Sequence, residues 1–164
     1  MPASTQAHAL PDLGDPHASA HMTLGDALQV GPVRVQWDLD PLGQRQPTLW
    51  LKQGDTMERY RAPEPQDGRP NAWEVQALGA LWLLQGDRTL ALTLHRLDAP
   101  LAPLAPDLIH AQAVSAVADC DIDPARAGIT FGQGVWHVQF FDDGGTTLCG
   151  ATVGAWSGRA TPWR

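Results

Sequence analysis

The sequence predicts an α+β fold, a mainly antiparallel, hairpin-rich sheet of five to eight strands packed on one principal helix, behind a disordered N-terminal tail. Three observations predict it. Residues 135–153 read as two strands around the polar turn Asp142-Asp143-Gly144-Gly145. Residues 33–39 and 89–95 alternate apolar and polar side chains, the period of a half-buried strand. Only the stretch after Pro106 carries an apolar face at helical spacing, formed by Ile109, Ala113, Ala116, Val117 and Cys120.

Residues 1–21 mix Ala, Pro, Ser, Asp and His without periodicity, so disorder is expected there. His8, His17 and His21 fit no rigid metal spacing. A single α+β domain is expected over 22–164, since one domain is the default for 164 residues. It divides into a β-rich part (22–97), a proline-rich connector (98–106), and a helix plus hairpin (107–164).

Residues 23–30 read as a short helix or lead-in strand. The strand at 33–39 turns at Pro41-Leu42-Gly43-Gln44 and returns at 48–52. Gln53-Gly54-Asp55 turns again into a strand at 56–61. Three prolines and a glycine make 62–71 a loop. The apolar run 73–84 reads as a strand pair or one bent strand, because Gly79 interrupts it. It pairs with 89–97 across Gln85-Gly86-Asp87-Arg88. Ile129, Thr130 and Phe131 form a short strand, and the tail 154–164 folds back across the sheet. Val35-Gln36-Trp37 and Val138-Gln139-Phe140 open similar strands, a likeness that common hairpin grammar also explains.

Charge and cysteine content set the function classes. A net charge of −7 with no Lys/Arg cluster argues against nucleic acid. An acidic surface suits solubility and would suit a basic protein partner. No apolar run approaches the ~20 residues of a membrane span, and the N-terminus lacks the pattern of a signal peptide. A cytoplasmic protein without membrane contact is expected. Cys120 and Cys149 form no C-x-x-C, and reduced buried thiols are the expectation. The alternative is a single bridge tying the segment at Cys120 to the hairpin.

Motifs for chemistry fail on inspection. Asp119, Asp121 and Asp123 have the spacing that opens a calcium loop, but Pro124 stands at the glycine position and Thr130 at the glutamate position. Gly132-Gln133-Gly134 leads into a strand, and His137 occupies the third glycine position of a dinucleotide fingerprint. Ser157 lacks the glycines of a nucleophile elbow. No cofactor or metal is expected. His137, on the strand face opposite Trp136 and Val138, is the strongest lone candidate for chemistry, with Asp142 or Asp143 to orient it and Ser157 or Cys149 as nucleophile.

From the helix to the tail, the order helix, Trp136-His137-Val138, polar turn, then Val153-Gly154-Ala155-Trp156-Ser157-Gly158 is similar to PepSY-type domains over about a third of the chain. Those small α+β modules often end a strand in a V-D-A-x-T-G-like motif and are usually extracytoplasmic. Gly154 stands here where the acidic residue would be.

The leading expectation is a non-enzymatic, soluble protein-binding module of inhibitor, immunity or regulatory type. Its acidic, tryptophan-bearing surface would comprise Trp156, Trp163, Asp119, Asp121 and Asp123. Seven tryptophans are more than one small core readily buries. The rival expectation is a small-molecule binder or enzyme with a pocket on the curved sheet near His137. A third is an oligomer paired through an exposed hairpin edge.

Overall fold

The computed structural model describes residues 9–42, 45–64 and 71–164. They form twelve antiparallel strands and one helix. The mainly antiparallel class with a single helix is as expected. The strands number more than eight because they form three four-stranded sheets rather than one.

The first sheet is the meander β2 (Ala27–Val30), β3 (Val33–Leu39), β4 (Pro47–Gln53) and β5 (Thr56–Arg61). The second has the order β1-β8-β7-β6, from β1 (Ala18–Thr23), β8 (Thr89–Arg96), β7 (Ala80–Gly86) and β6 (Ala72–Ala77). The inner faces of these two sheets share one core. Val33, Val35, Trp37, Leu49 and Leu51 meet Met22, Trp73, Val75, Trp82, Leu84, Leu90 and Leu92. The indole N–H of Trp37 donates to the Arg88 carbonyl (3.1 Å) and that of Trp82 to the Ala77 carbonyl (3.1 Å). Both bulky rings are therefore buried without a stranded donor.

The third sheet is the meander β9 (Ala127–Gly132), β10 (Val135–Phe141), β11 (Thr147–Gly154) and β12 (Ala160–Trp163). The helix α1 (Pro106–Ala116) covers it. Leu104, Ile109, Ala113 and Val117 pack on Val138, Phe140, Cys149, Ala151 and Val153. Pro106 opens the helix at a position that needs no N–H. The tail returns as β12 beside β11, as expected.

The apolar run 73–84 resolves into β6 and β7 around Leu78 (φ 53°) and Gly79 (φ 71°). Two successive positive φ values are the signature of a type I′ hairpin turn. The strict alternation disappears because β7 is covered on both faces, with Leu81 and Leu83 buried as well as Trp82 and Leu84.

Two sequence expectations need correction. Ordered chain reaches further toward the N-terminus than composition implies. Residues 18–23 are β1, paired with β8 from Ala18↔Leu94 to Thr23↔Thr89, and the Leu13 carbonyl lies 3.2 Å from His95 Nδ1. Low hydrophobicity did not exclude order, because Met22 alone reaches the core while the main chain supplies the pairing. The expected loop at 62–71 falls largely outside the described residues. Cys120 and Cys149 are not free thiols. They form a disulfide across 29 residues of chain, with Cα atoms 6.8 Å apart.

Candidate binding site around Trp156

The third sheet meets the outer face of β6, and Glu74 lies at the join. It is the one acid in the apolar run 73–84, and only 2 % of its surface is exposed. The turn after β11 supplies its partners. The backbone N–H groups of Trp156 (3.2 Å) and Ser157 (3.1 Å) donate to Oε1. The Ser157 hydroxyl donates to Oε2, and Ser157 Oγ also accepts the Arg159 N–H (2.9 Å). A Cβ on Gly154 would overlap the Glu74 carboxylate, so only glycine admits this approach. The Glu74 amide itself donates to Gln133 in the β9–β10 turn (3.4 Å).

Burial pushes the Glu74 carboxyl above its ordinary value, against the pull of the Ser157 and Trp156 hydrogen bonds and the charge of Arg159. Burial likewise disfavours the Arg159 guanidinium, and Glu74 favours it. The arginine also donates to the Leu84 carbonyl (3.4 Å).

This bonding fixes the main chain of Trp156, whose side chain is half-buried. The ring lines three concavities. One of about 520 Å³ is walled by Leu10, Pro11, Pro100, Leu101 and Leu104. A second, about 410 Å³, continues over Gln76, Leu78, Gly79 and Pro100. The third, about 310 Å³, lies between the edge strands β5 and β6, with Arg59, Arg61, Trp73, Glu74 and Gln133 in its wall. Trp73 is fully buried, and its indole N–H has no acceptor among the described residues. Beside this end, burial and the nearby Glu58 carboxylate push the Tyr60 hydroxyl up to about 12. That hydroxyl donates to Glu58 (2.8 Å). The connector is held against the groove by reciprocal bonds, Leu101 N–H to Gln76 Oε1 (2.6 Å) and Gln76 Nε2 to the Leu101 carbonyl (3.2 Å).

The residues expected from sequence are not brought together in one surface. Trp156 lies at the groove. Trp163 is buried, its ring filling the space that a Cβ on Gly150 would take. It is therefore core rather than a contact residue. Asp119 is exposed and paired with Arg164 (2.7 Å). Asp121 and Asp123 are exposed and share a shallow concavity with Asp142 and Asp143. Arg126 sits among them, paired with Asp143 and with Asp123 (3.6 Å). Asp123 also caps its own turn through the Ala125 N–H (3.0 Å). Among the described residues no group of three or more side chains could hold a metal ion.

His137 is half-buried, with Nδ1 3.2 Å from Thr152 Oγ1 on the neighbouring strand. It lines none of these concavities. Cys149 is consumed by the disulfide and Ser157 by Glu74, so neither serves His137 as a nucleophile. Gly132-Gln133-Gly134 is a hairpin turn, with positive φ at Gln133 (47°) and Gly134 (73°).

Sequence reasoning missed Glu74, Leu10 and the connector as parts of the site. A signal for Glu74 existed. A lone carboxylate inside an apolar run must find buried donors, and the G-x-x-S-G turn offers them. No family model, curated protein or solved structure matches the chain, so the PepSY-type resemblance gains no support.

Proposed function

We propose that the protein is a non-enzymatic binding module whose groove at Trp156 takes an extended apolar segment of a protein partner. The observation that carries this reading is the state of Trp156. Its main chain is held by a buried carboxylate, while its half-buried side chain lines three hollows. A preorganised aromatic ring with apolar walls on one side is the usual composition of a hot spot. Three hollows that share Trp156 in their walls suit an extended chain better than a compact ligand. A net charge of −7 favours a basic partner. Inhibitor, immunity and regulatory roles all fit such a module.

One observation favours a second reading. The hollow of about 520 Å³ lies within the size range of small-molecule sites and is mainly apolar. An apolar small molecule would then replace the peptide at the same tryptophan.

Among the described residues no helix is long and apolar enough to cross a membrane. The Cys120–Cys149 bond favours an oxidising compartment over the cytoplasm expected from the sequence.

Native mass spectrometry of gently purified wild-type and Trp156→Ala proteins tests both readings. A second polypeptide on the wild type that is lost from Trp156→Ala is the expected result. Extra mass of small-molecule size lost in the same way would establish the second reading. A companion retained by Trp156→Ala but lost from Asp121→Asn/Asp123→Asn would move the contact to the acidic face and overturn the groove assignment.

A further inference from the structure

We propose that the outer edge of β9 is the seam of a two-fold dimer, in which the third sheets of two copies join into one continuous sheet. No residue of β9 itself lines the hollows at Trp156.

The hydrogen-bond pattern of the edge comes first. Among the described residues β9 pairs only with β10. Phe141 N–H donates to the Arg126 carbonyl (3.0 Å), which makes Arg126 and Phe141 a hydrogen-bonded pair. Bonded and non-bonded pairs alternate along an antiparallel ladder. The register Ala127↔Phe140, Ile129↔Val138 and Phe131↔Trp136 is therefore the non-bonded set. The N–H and C=O groups of Ala127, Ile129 and Phe131 point away from the sheet.

The side chains agree with the main chain. The helix α1 lies over β11, β12 and the near side of β10. Beyond it Ile129 is 41 % and Phe131 56 % exposed, and Phe131 packs at a tilt of 58° against the half-buried Trp136 with centroids 4.8 Å apart. The strand sequence AGITFG contains no charge and no proline. Three other edges are guarded in the ways natural edges usually are, while β1, also free of charge and proline, is not. β5 carries Glu58, Arg59 and Arg61, β12 carries Pro162, and β2 is only four residues long.

A second copy is the occupant that fits best, because this edge is complementary to itself. An antiparallel pairing centred on Ile129 sets Ile129 opposite Ile129 and Ala127 opposite Phe131. Every outward donor and acceptor then meets its counterpart, as an isologous interface requires. The charges at the strand ends complement each other as well. Near the start of β9 lie Asp121, Asp123, Asp142 and Asp143, with Arg126 among them. The β9–β10 turn at its end shares a hollow with Arg61 and with Arg59, the latter paired with Asp40 (3.4 Å). Antiparallel pairing brings the acidic end of each copy to the arginine end of the other.

Analytical ultracentrifugation of the full chain tests the proposal at about 50 µM and below, since such association depends on concentration. The expected result is a dimer that Ile129→Lys converts to a monomer with an unchanged far-UV circular dichroism spectrum. Ile129→Cys supplies a second test that does not depend on the lysine variant folding. Facing Cα atoms in a bonded antiparallel pair lie about 5.5 Å apart, within disulfide reach. Mild oxidation should then give a covalent dimer on a non-reducing gel, leaving Cys120–Cys149 intact. A monomeric wild type would overturn the proposal and leave the edge to a different chain. A dimer that survives Ile129→Lys, or an Ile129→Cys protein that fails to cross-link, would also overturn it.

Discussion

The meanders β2–β5 and β9–β12 are built on the same hairpin and closed by different means. In the first, Val35 faces Leu51 and Trp37 faces Leu49. In the second, Val138 faces Ala151 and Phe140 faces Cys149. The opening triplets Val-Gln-aromatic thus occupy equivalent places. The first meander meets another sheet, and large side chains from both faces fill the space. The second meets α1, which presents Ala113 and Ala116 beside Ile109 and Val117. There the sheet has small residues, a tryptophan seated on Gly150, and a disulfide. The hairpin pattern encodes strand and turn. What covers the strands is encoded in the volumes at the facing positions, and the disulfide supplements the smaller core.

Substitutions that remove each device separate the two halves. Trp37→Ala should have the largest effect, about 4 kcal/mol of lost stability, because a fully buried ring leaves a cavity. Chemical denaturation measures it. Cys120→Ser with Cys149→Ser comes next, at about 3.5 kcal/mol from freeing the closed loop. Hydrogen exchange should show that loss chiefly in α1, β10 and β11. Gly150→Ala should cost about 2 kcal/mol, because a Cβ there would press on the Trp163 ring and the Val138 carbonyl. An equal response of both meanders to reduction would erase the contrast drawn here.

Glu74 joins the second meander to the first half of the fold, and its effect is best seen against pH. Its folded pKa is raised, so its stabilising contribution is greatest below the ordinary 4.5 and is lost as pH rises through the folded value. Glu74→Gln removes that dependence. The melting temperature of the wild type relative to Glu74→Gln should therefore fall as pH rises from 4.5. Of these effects it is the smallest, because the three donors hold partners in either state.

Much of the fold was legible in the sequence. Alternation marked β3 and β8, the turns that precede β4 and β5 marked those two, and the split at Gly79 marked β6 and β7. Where both faces are covered, as at β7, alternation vanished and only the turn residues remained to be read. β1 was missed because a strand held by main-chain pairing needs little hydrophobicity of its own. Of the site, Trp156 was legible as a surplus aromatic. Its neighbours Leu10, Leu101 and Glu74 come from segments far apart in sequence, and no local pattern links them. Trp163 was misread because the space for its ring is made by an absence, the missing side chain of Gly150.

The most direct test of the account is an NMR titration that follows the Glu74 side-chain carboxyl carbon together with the backbone amides of Trp156 and Ser157. The account predicts one shared midpoint above 4.5 for all three, since the carboxylate that joins the halves also holds the Trp156 turn. A midpoint at or below 4.5, or amides that do not move with the carboxyl, would contradict it.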